Sequence, residues 1–306
     1  GKNIKAYEKN PFVPPTDTGE ADSMGAYGLT LTFGISPSFL KKMGLTHKQP
    51  KEFQDLPKFP RDQLRENLTG GDICIQACAE DAQVAFHAVR QLVRQARSNI
   101  TMRWSQSGFV GFDTGNQTPR NLFGFKDGTA NQSTIKAADK NLWADAPDWM
   151  KGGTYLVTRV IQMHLETWDR TSLKGQEETF GRHRDSGAAI GQKGEFDTFD
   201  VNAKDAQGKA VIPENSHVGL AKRTGVEMLR RSYSYSSGIN PATGQFDSGL
   251  LFISFQKSPE QFIIIQNALG RLDKMNEYTT HIGSGLFACF GGTPQGGYIG
   301  QALFEA

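Results

Sequence analysis

The chain has 306 residues, 37% hydrophobic and 22% charged, a globular composition with apolar material for one large domain or two modest ones. Its 34 lysines and arginines stand against 32 acidic residues, so a net charge of +2 gives no electrostatic case for nucleic acid or an anionic membrane. No apolar run approaches the roughly 20 residues of a spanning helix, and three cysteines, Cys74, Cys78 and Cys289, read as free buried thiols rather than a disulfide framework.

From the amino terminus, Gly1 to Asp22 is polar and carries Pro11, Pro14 and Pro15. No targeting segment is visible there, so the expectation is a cytoplasmic chain or a processed or truncated product. Ala26 to Gly34 alternates and reads as a strand; Asp72 to Ala79 reads as a second. A helix is expected from about Glu80 to Arg97, with Val84, Ala88, Val89, Leu92 and Val93 near a 3.6-residue period. Met102 to Phe112 returns as a strand. Asp113 to Met150 reads as a long loop, and loops of that length are usually functional.

The second half opens with a long strand, Thr154 to Glu166, followed by a charged stretch, Ser172 to Asp185, helical at first and then irregular. Glu195 to Asn215 is a polar excursion. Leu229 to Ser236 and Leu250 to Gln256 read as a hairpin pair joined by the turn-rich Gly238 to Gly244. A helix follows from Ser258 to about Met275, presenting Phe262, Ile265, Ala268, Leu269 and Leu272 on one face, and Gly285 to Gly291 closes as a strand. This order suggests an α+β chain of two ferredoxin-like units, residues 1–150 and 151–306, the first lacking its opening strand and helix.

Asp127 stands out within Asn121-Leu122-Phe123-Gly124-Phe125-Lys126-Asp127-Gly128-Thr129-Ala130-Asn131. Gly128 permits backbone geometry that aims the acid, and apolar walls raise a carboxyl's pKa, so Asp127 is a candidate proton-transfer group. An ordinary Asp-Gly surface turn is the other reading. Of six histidines, His217 follows Pro213-Glu214-Asn215-Ser216 and precedes small apolar residues. It reads either as a core histidine bonded to backbone or as an axial metal ligand whose second nitrogen is held by an acid. Arg230 and Arg231 enter a strand, so one faces inward and needs a carboxylate or another anion. Asp127 is the acid to share an anionic or peroxide-like site with it; a solvated pair at a strand edge is the alternative.

Four motifs occur in order: Gly124-Phe125-Lys126-Asp127-Gly128-Thr129, Gly181-Arg182-His183-Arg184-Asp185-Ser186-Gly187, Asn215-Ser216-His217-Val218, and Leu229-Arg230-Arg231-Ser232-Tyr233-Ser234-Tyr235. Together they resemble the dye-decolourising peroxidases, particularly the bacterial branch found with iron-uptake systems and also called deferrochelatase/peroxidase, from about Val13 to Ala306. The resemblance implies haem b in the second ferredoxin-like unit, with His217 as the proximal metal ligand, Asp127 as the distal acid and Arg230 as the distal arginine. It further implies that Asn131 is a distal-side polar residue and that Arg182 lies near the haem propionates. Glu277 is assigned as the acid orienting His217.

The implied activity is a haem peroxidase that reduces hydrogen peroxide and oxidises dyes, phenols or other one-electron donors. Trp104, Trp143, Trp149, Trp168, Tyr233 and Tyr235 are available as electron relays, each with core packing as its other reading. The alternatives are a haem-handling protein that takes iron from haem or carries haem in the same pocket, and a non-haem binding module of the same superfamily. Iron-uptake components as partners, a homo-oligomer, and twin-arginine export to the periplasm, cell envelope or exterior are further expectations by resemblance.

Overall fold

A computed structural model describes residues 12–111, 117–145 and 147–305. Seven strands, β1 (Thr30–Ile35), β2 (Ile73–Cys78), β3 (Thr154–Met163), β4 (Leu229–Arg230), β5 (Tyr233–Asn240), β6 (Gln245–Gln256) and β7 (Thr279–Cys289), join in one sheet. The order is β2-β1-β7-β3-β6-β4, β5 also pairs with β6, and every strand pair is antiparallel. β3 lies at the centre because Thr154 to Val160 are all buried, and a strand covered on both faces tolerates a near-continuous run of β-branched and aromatic residues. It pairs with β6 from Tyr155↔Gln256 to Gln162↔Gly249 and with β7 from Thr154↔Cys289 to Met163↔Thr279.

The fold is α+β, with β1, β2 and the Ala82–Ala96 helix contributed by the first half and the remaining strands by the second. The halves meet where β1 pairs with β7 at Gly34↔Cys289 and Ile35↔Ala288. Glycine permits that approach, since a Cβ on Gly34 would lie 2.9 Å from the Phe287 Cβ. The Ala82–Ala96 helix starts where Asp81 accepts from the Gln83 and Val84 amides. The Pro259–Leu272 helix starts at Ser258, which forms a capping box with Gln261, and Pro259 takes a first-turn position whose N–H would have no partner. Phe262 and Ile265 of that helix pack with Tyr155, Val157 and Leu286 in the largest core cluster. Among the described residues no helix is long and apolar enough to cross a membrane, and all three cysteines are free.

Several elements differ from the sequence reading. Within Met102 to Phe112, the described residues make only one isolated bridge, Phe109↔Ser234, and Phe112 lies outside them. The loop expected over 113–150 contains helices Asn131–Lys136 and Ala138–Asn141, while residues 113–116 and 146 lie outside the described residues, as do 1–11 of the polar amino terminus. The long strand of the second half ends at Met163, and Leu165–Trp168 turns into a helix. β6 begins at Gln245 and β7 at Thr279, each several residues ahead of expectation, because glycines inside them read as breaks. Those glycines are packing sites: a Cβ on Gly249 would lie 1.9 Å from the Ile161 carbonyl oxygen, and one on Gly283 would lie 2.5 Å from that of Leu68.

One buried charge sits in the middle of this sheet. Arg159 on β3 is 1% exposed; its guanidinium pairs with Asp62, donates to Ser284 Oγ at 3.0 Å, and lies 5.4 Å from the centre of the Phe59 ring. Burial pulls its pKa down, with the Asp62 carboxylate opposing that pull. His281 is pushed down to about 3 by burial and then by the charges of Arg159 and His217, so it is neutral at physiological pH. Removing one partner of a buried pair leaves an uncompensated charge, at a cost of about 3–5 kcal/mol. Asp62→Ala is therefore expected to lower the urea midpoint of the haem-loaded protein by that equivalent with an unchanged m-value, and Asp62→Leu combined with Arg159→Met to recover most of it.

Candidate active site

The segment around Asp127 is fixed before its acid is presented. Arg120 and Lys126 form an isolated antiparallel bridge, and the Asp127 amide donates to the Pro119 carbonyl at 2.8 Å. Gly128 then turns the chain at φ +115°, a conformation that residues with a side chain rarely adopt, and a Cβ there would lie 3.3 Å from Asn131 Nδ2. The Asp127 carboxylate is half-buried and has no hydrogen bond or ion pair with any described residue.

Arg230 sits on β4, opposite Ser254 of β6. Its main chain is gripped by the Asn131 side chain: Asn131 Oδ1 accepts from the Arg230 amide at 3.0 Å and Nδ2 donates to the Arg230 carbonyl at 2.6 Å. The carboxamide thus substitutes for a neighbouring strand at a position where the sheet offers none. Asn131, expected to face a ligand, spends both polar atoms on holding Arg230. The Arg230 guanidinium is half-buried and makes no hydrogen bond to a described residue. Arg231 diverges as strand alternation requires, exposed and donating from Nε to the Tyr233 hydroxyl at 2.8 Å. Asp127, Asn131 and Arg230 line one cavity of about 2080 Å³, together with Leu156, Leu251 and Phe287 from the sheet.

Arg182 follows Gly181, which ends the Leu173–Phe180 helix at φ +82°. Its Nη1 donates to the carbonyls of Gly187 at 2.5 Å and Glu195 at 3.2 Å, and its guanidinium lies 5.8 Å from the centre of the Phe199 ring. Burial lowers its pKa, the neighbouring Arg230 charge lowers it further, and Glu195 opposes both. Two guanidiniums close enough to repel, neither paired with a carboxylate among the described residues, make a place for an anion.

His217 opens the helix His217–Arg223, which Ser216 caps by accepting from the Gly219 amide at 3.3 Å. Its Nδ1 lies 2.6 Å from Asp273 Oδ2, and the Asp273 side chain is 3% exposed. Asp273 Oδ1 accepts from the Met275 amide at 2.9 Å, which fixes the carboxylate. The orienting acid is therefore Asp273; Glu277, assigned on sequence grounds, is exposed at the far end of the short Lys274–Glu277 turn. The reason is the docking of that turn. The Lys274 amide donates to the Asn215 carbonyl at 3.1 Å, which brings Asp273, the cap before the turn, rather than the turn's last residue, against His217. With the Nδ1 proton given to Asp273, Nε2 carries the lone pair, and it has no partner among the described residues.

His217 is not among the residues lining the Asp127 cavity. An aromatic block connects them: the His217 ring lies 6.5 Å from Phe180, and Phe180 stacks on Phe125 at 3.9 Å and 6°, two residues before Asp127. This donor set fits haem: an imidazole nitrogen without a partner among the described residues for iron, and Arg182 for a propionate. Of the aromatic residues offered as relays, Trp149, Trp168 and Tyr235 are buried in the core, Trp104 and Tyr233 are half-buried, and Trp143 is 44% exposed.

These features define a haem-dependent peroxidase on an α+β scaffold. Residues 2–110 match the family described as Dyp-type peroxidase, N-terminal, and residues 118–294 match Dyp-type peroxidase, C-terminal; the chain belongs to this family. It is 38% identical over 318 aligned positions to proteins named Deferrochelatase from Shigella sonnei (strain Ss046) and Escherichia coli (strain K12), covering 97% of this chain and 74% of each relative. Among solved structures, the DyP-type peroxidase of Streptomyces coelicolor superposes with a TM-score of 0.90 at 37% identity, over 95% of this chain and 81% of that one. Ferric DtpA of Streptomyces lividans gives 0.89 at 37% identity, over 95% and 81%. Haem is the family's cofactor.

Partners in the second shell of a metal ligand typically contribute 10- to 100-fold in affinity. Asp273→Asn, which keeps an acceptor for Met275, is accordingly expected to weaken haem retention by about that factor, whereas Glu277→Gln leaves it unchanged. Haem titration of the apoprotein followed at the Soret band measures both.

Proposed function

We propose that Asp127 and Arg230 handle peroxide in this haem peroxidase, with His217, held by Asp273, as the iron ligand and Arg182 beside the propionates. The observation that carries this reading is a carboxylate and a guanidinium lining one cavity with no partner among the described residues, in a chain that pairs the buried charges Arg159–Asp62 and Lys126–Glu195. Haem, when bound, supplies the redox-active iron at which hydrogen peroxide is cleaved and which reducing substrates return to its resting state.

The protein's contribution is proton movement and electrostatics. Heterolysis of hydrogen peroxide requires one proton to move from one of its oxygens to the other, which then leaves as water. Asp127, free of competing bonds among the described residues, accepts that proton and delivers it, directly or through one water; a positioned acid–base group contributes about 10²–10⁴ in rate. Arg230 stabilises the negative charge that builds on the departing oxygen, and its advantage depends on not reorganising during the step. Asn131 supplies that rigidity by fixing the arginine's main chain. With Asp273 holding Nδ1, Nε2 of His217 would be the nitrogen that holds iron.

A second reading, removal of iron from haem, is favoured by the similarity, over 97% of this chain and 74% of theirs, to proteins named Deferrochelatase, and it uses the same His217 pocket. It needs no fast peroxide step. Incubating the haem-loaded protein without peroxide and measuring metal-free porphyrin fluorescence separates the two.

Arg230→Ala is expected to lower the second-order rate with hydrogen peroxide by about 10²–10³ with haem retained, comparable to the loss of a charge-stabilising donor elsewhere. Asp127→Asn is expected to slow it by about 10². Stopped-flow spectra showing a parental rate for the Arg230 variant would refute its role.

A further inference from the structure

Asp127 is asked to hold a proton-transfer direction, yet its carboxylate has no bonding partner among the described residues and sits beside a glycine hinge. Groups that transfer protons need placement within about 0.5 Å, and a displacement of about 1 Å costs on the order of 10² in rate. Something other than Asp127 must set its direction.

We infer that Glu195 is the positioning residue for Asp127, fixing an acid it does not touch by gripping the residues on either side of it. The inference rests on Asp127 being the proton-transfer group. Lys126, one residue before Asp127, places Nζ 2.6 Å from Glu195 Oε2; Thr129, two residues after, donates from Oγ1 to Glu195 Oε1 at 2.9 Å. Thr118, on the opposite arm of the same loop, lies near enough to this carboxylate to help lower its pKa. One side chain, only 8% exposed, therefore ties down two points that bracket Asp127. Lys126 belongs to an extended bridge with Arg120, and neighbouring side chains in extended chain point to opposite sides. Holding Lys126 toward Glu195 thus sends the Asp127 carboxylate the other way, to the cavity wall it shares with Arg230.

The packing around this clamp leaves no slack. Gly187 lies against it at φ +75°, where a Cβ would approach Lys126 Cδ at 2.6 Å and Glu195 Cγ at 3.4 Å. Although burial pushes the Glu195 pKa up, Lys126, Thr118 and Thr129 outweigh that and hold it below the usual carboxylate value, so the clamp is charged at physiological pH. The Glu195 main chain performs a second task, since its carbonyl accepts from Arg182 Nη1 at 3.2 Å. A single residue thereby fixes the spacing between the arginine proposed for the propionates and the acid proposed for peroxide.

The competing explanation is that Glu195 merely folds its own loop. Asp197 provides the control, because its Oδ2 accepts from the Gly194 amide at 2.7 Å and the Lys193 amide at 3.3 Å and so organises the same loop without reaching residues 118–129. In haem-loaded full-length protein, Glu195→Ala is expected to lower the stopped-flow rate with hydrogen peroxide by about 10- to 100-fold at unchanged haem content and unchanged KM for a reducing dye. Glu195→Gln, which keeps an acceptor for Thr129 but loses the ion pair, falls between that variant and the parent; Asp197→Ala stays within about 2-fold of the parent. In an Asp127→Asn background, Glu195→Ala should cause no further loss, because its effect passes through Asp127.

An unaffected rate in Glu195→Ala, an equal loss in Asp197→Ala, or losses that multiply in the double variant overturns the inference while leaving Asp127 in place. A parental rate in Asp127→Asn removes the distal-acid reading itself. If Glu195→Ala does not take up haem, Thr129→Val removes one arm and keeps the ion pair; a loss of about 3- to 10-fold supports the clamp and a parental rate overturns it.

Discussion

The 2.6 Å contact between His217 Nδ1 and Asp273 decides what the rest of the site can be. An imidazole has two nitrogens and, when neutral, one proton, so committing that proton to a buried carboxylate determines which nitrogen keeps a lone pair. The commitment is built from backbone: Ser216 starts the helix at His217, and the Lys274 amide docks on the Asn215 carbonyl. Asp273 is further fixed by the Met275 amide, so the pair is held on both sides. Everything proposed for the acid and the arginine presupposes a metal held at the free nitrogen.

Beyond that contact, the molecule spends its charges unevenly. Arg159 is buried in the sheet and paired with Asp62, and Lys126 is paired with Glu195. Among the described residues Asp127 and Arg230 are left free, while Glu195 holds the side chains of Lys126 and Thr129 that flank the first and Asn131 holds the main chain of the second. Rigid main chain with an uncommitted side-chain head is what electrostatic catalysis demands, since a group already bonded must first break that bond. The same logic explains why Asn131 serves better as a bracket than as a ligand. A carboxamide supplies a donor and an acceptor at the spacing of a strand neighbour, which a carboxylate does not.

Much of this was legible in the sequence, and the failures have physical causes. The Asp127 turn and the Arg230/Arg231 alternation were visible because each depends on local geometry that residue order dictates. The α+β pattern was visible for the same reason, although β6 and β7 were shortened because glycines required by close packing look like breaks. Asp273 was missed in favour of Glu277 because both acids flank one short turn, and which end meets His217 is set by a tertiary contact with Asn215. Its place as the cap just after a long helix was the available signal. Glu195 lies 69 residues from Lys126 in a polar stretch, and nothing local distinguishes it from its solvated neighbours. Arg159, a lone cation in an apolar strand run, was a signal of a buried pair that residue order alone left without a partner.

The arginine pair links cofactor binding to folding. Arg182 and Arg230 lie close enough for one charge to depress the pKa of the other, and the nearest opposing carboxylate, Glu195, already neutralises Lys126. Two part-buried like charges are tolerated only if something offsets them. An anionic ligand seated between them relieves the repulsion in the folded state and offers nothing to the unfolded chain, where the arginines are far apart and hydrated. Ligand binding of that kind stabilises the native state by mass action. A haem with a carboxylate beside Arg182, as proposed, would therefore contribute to the fold through charge neutralisation as well as apolar burial.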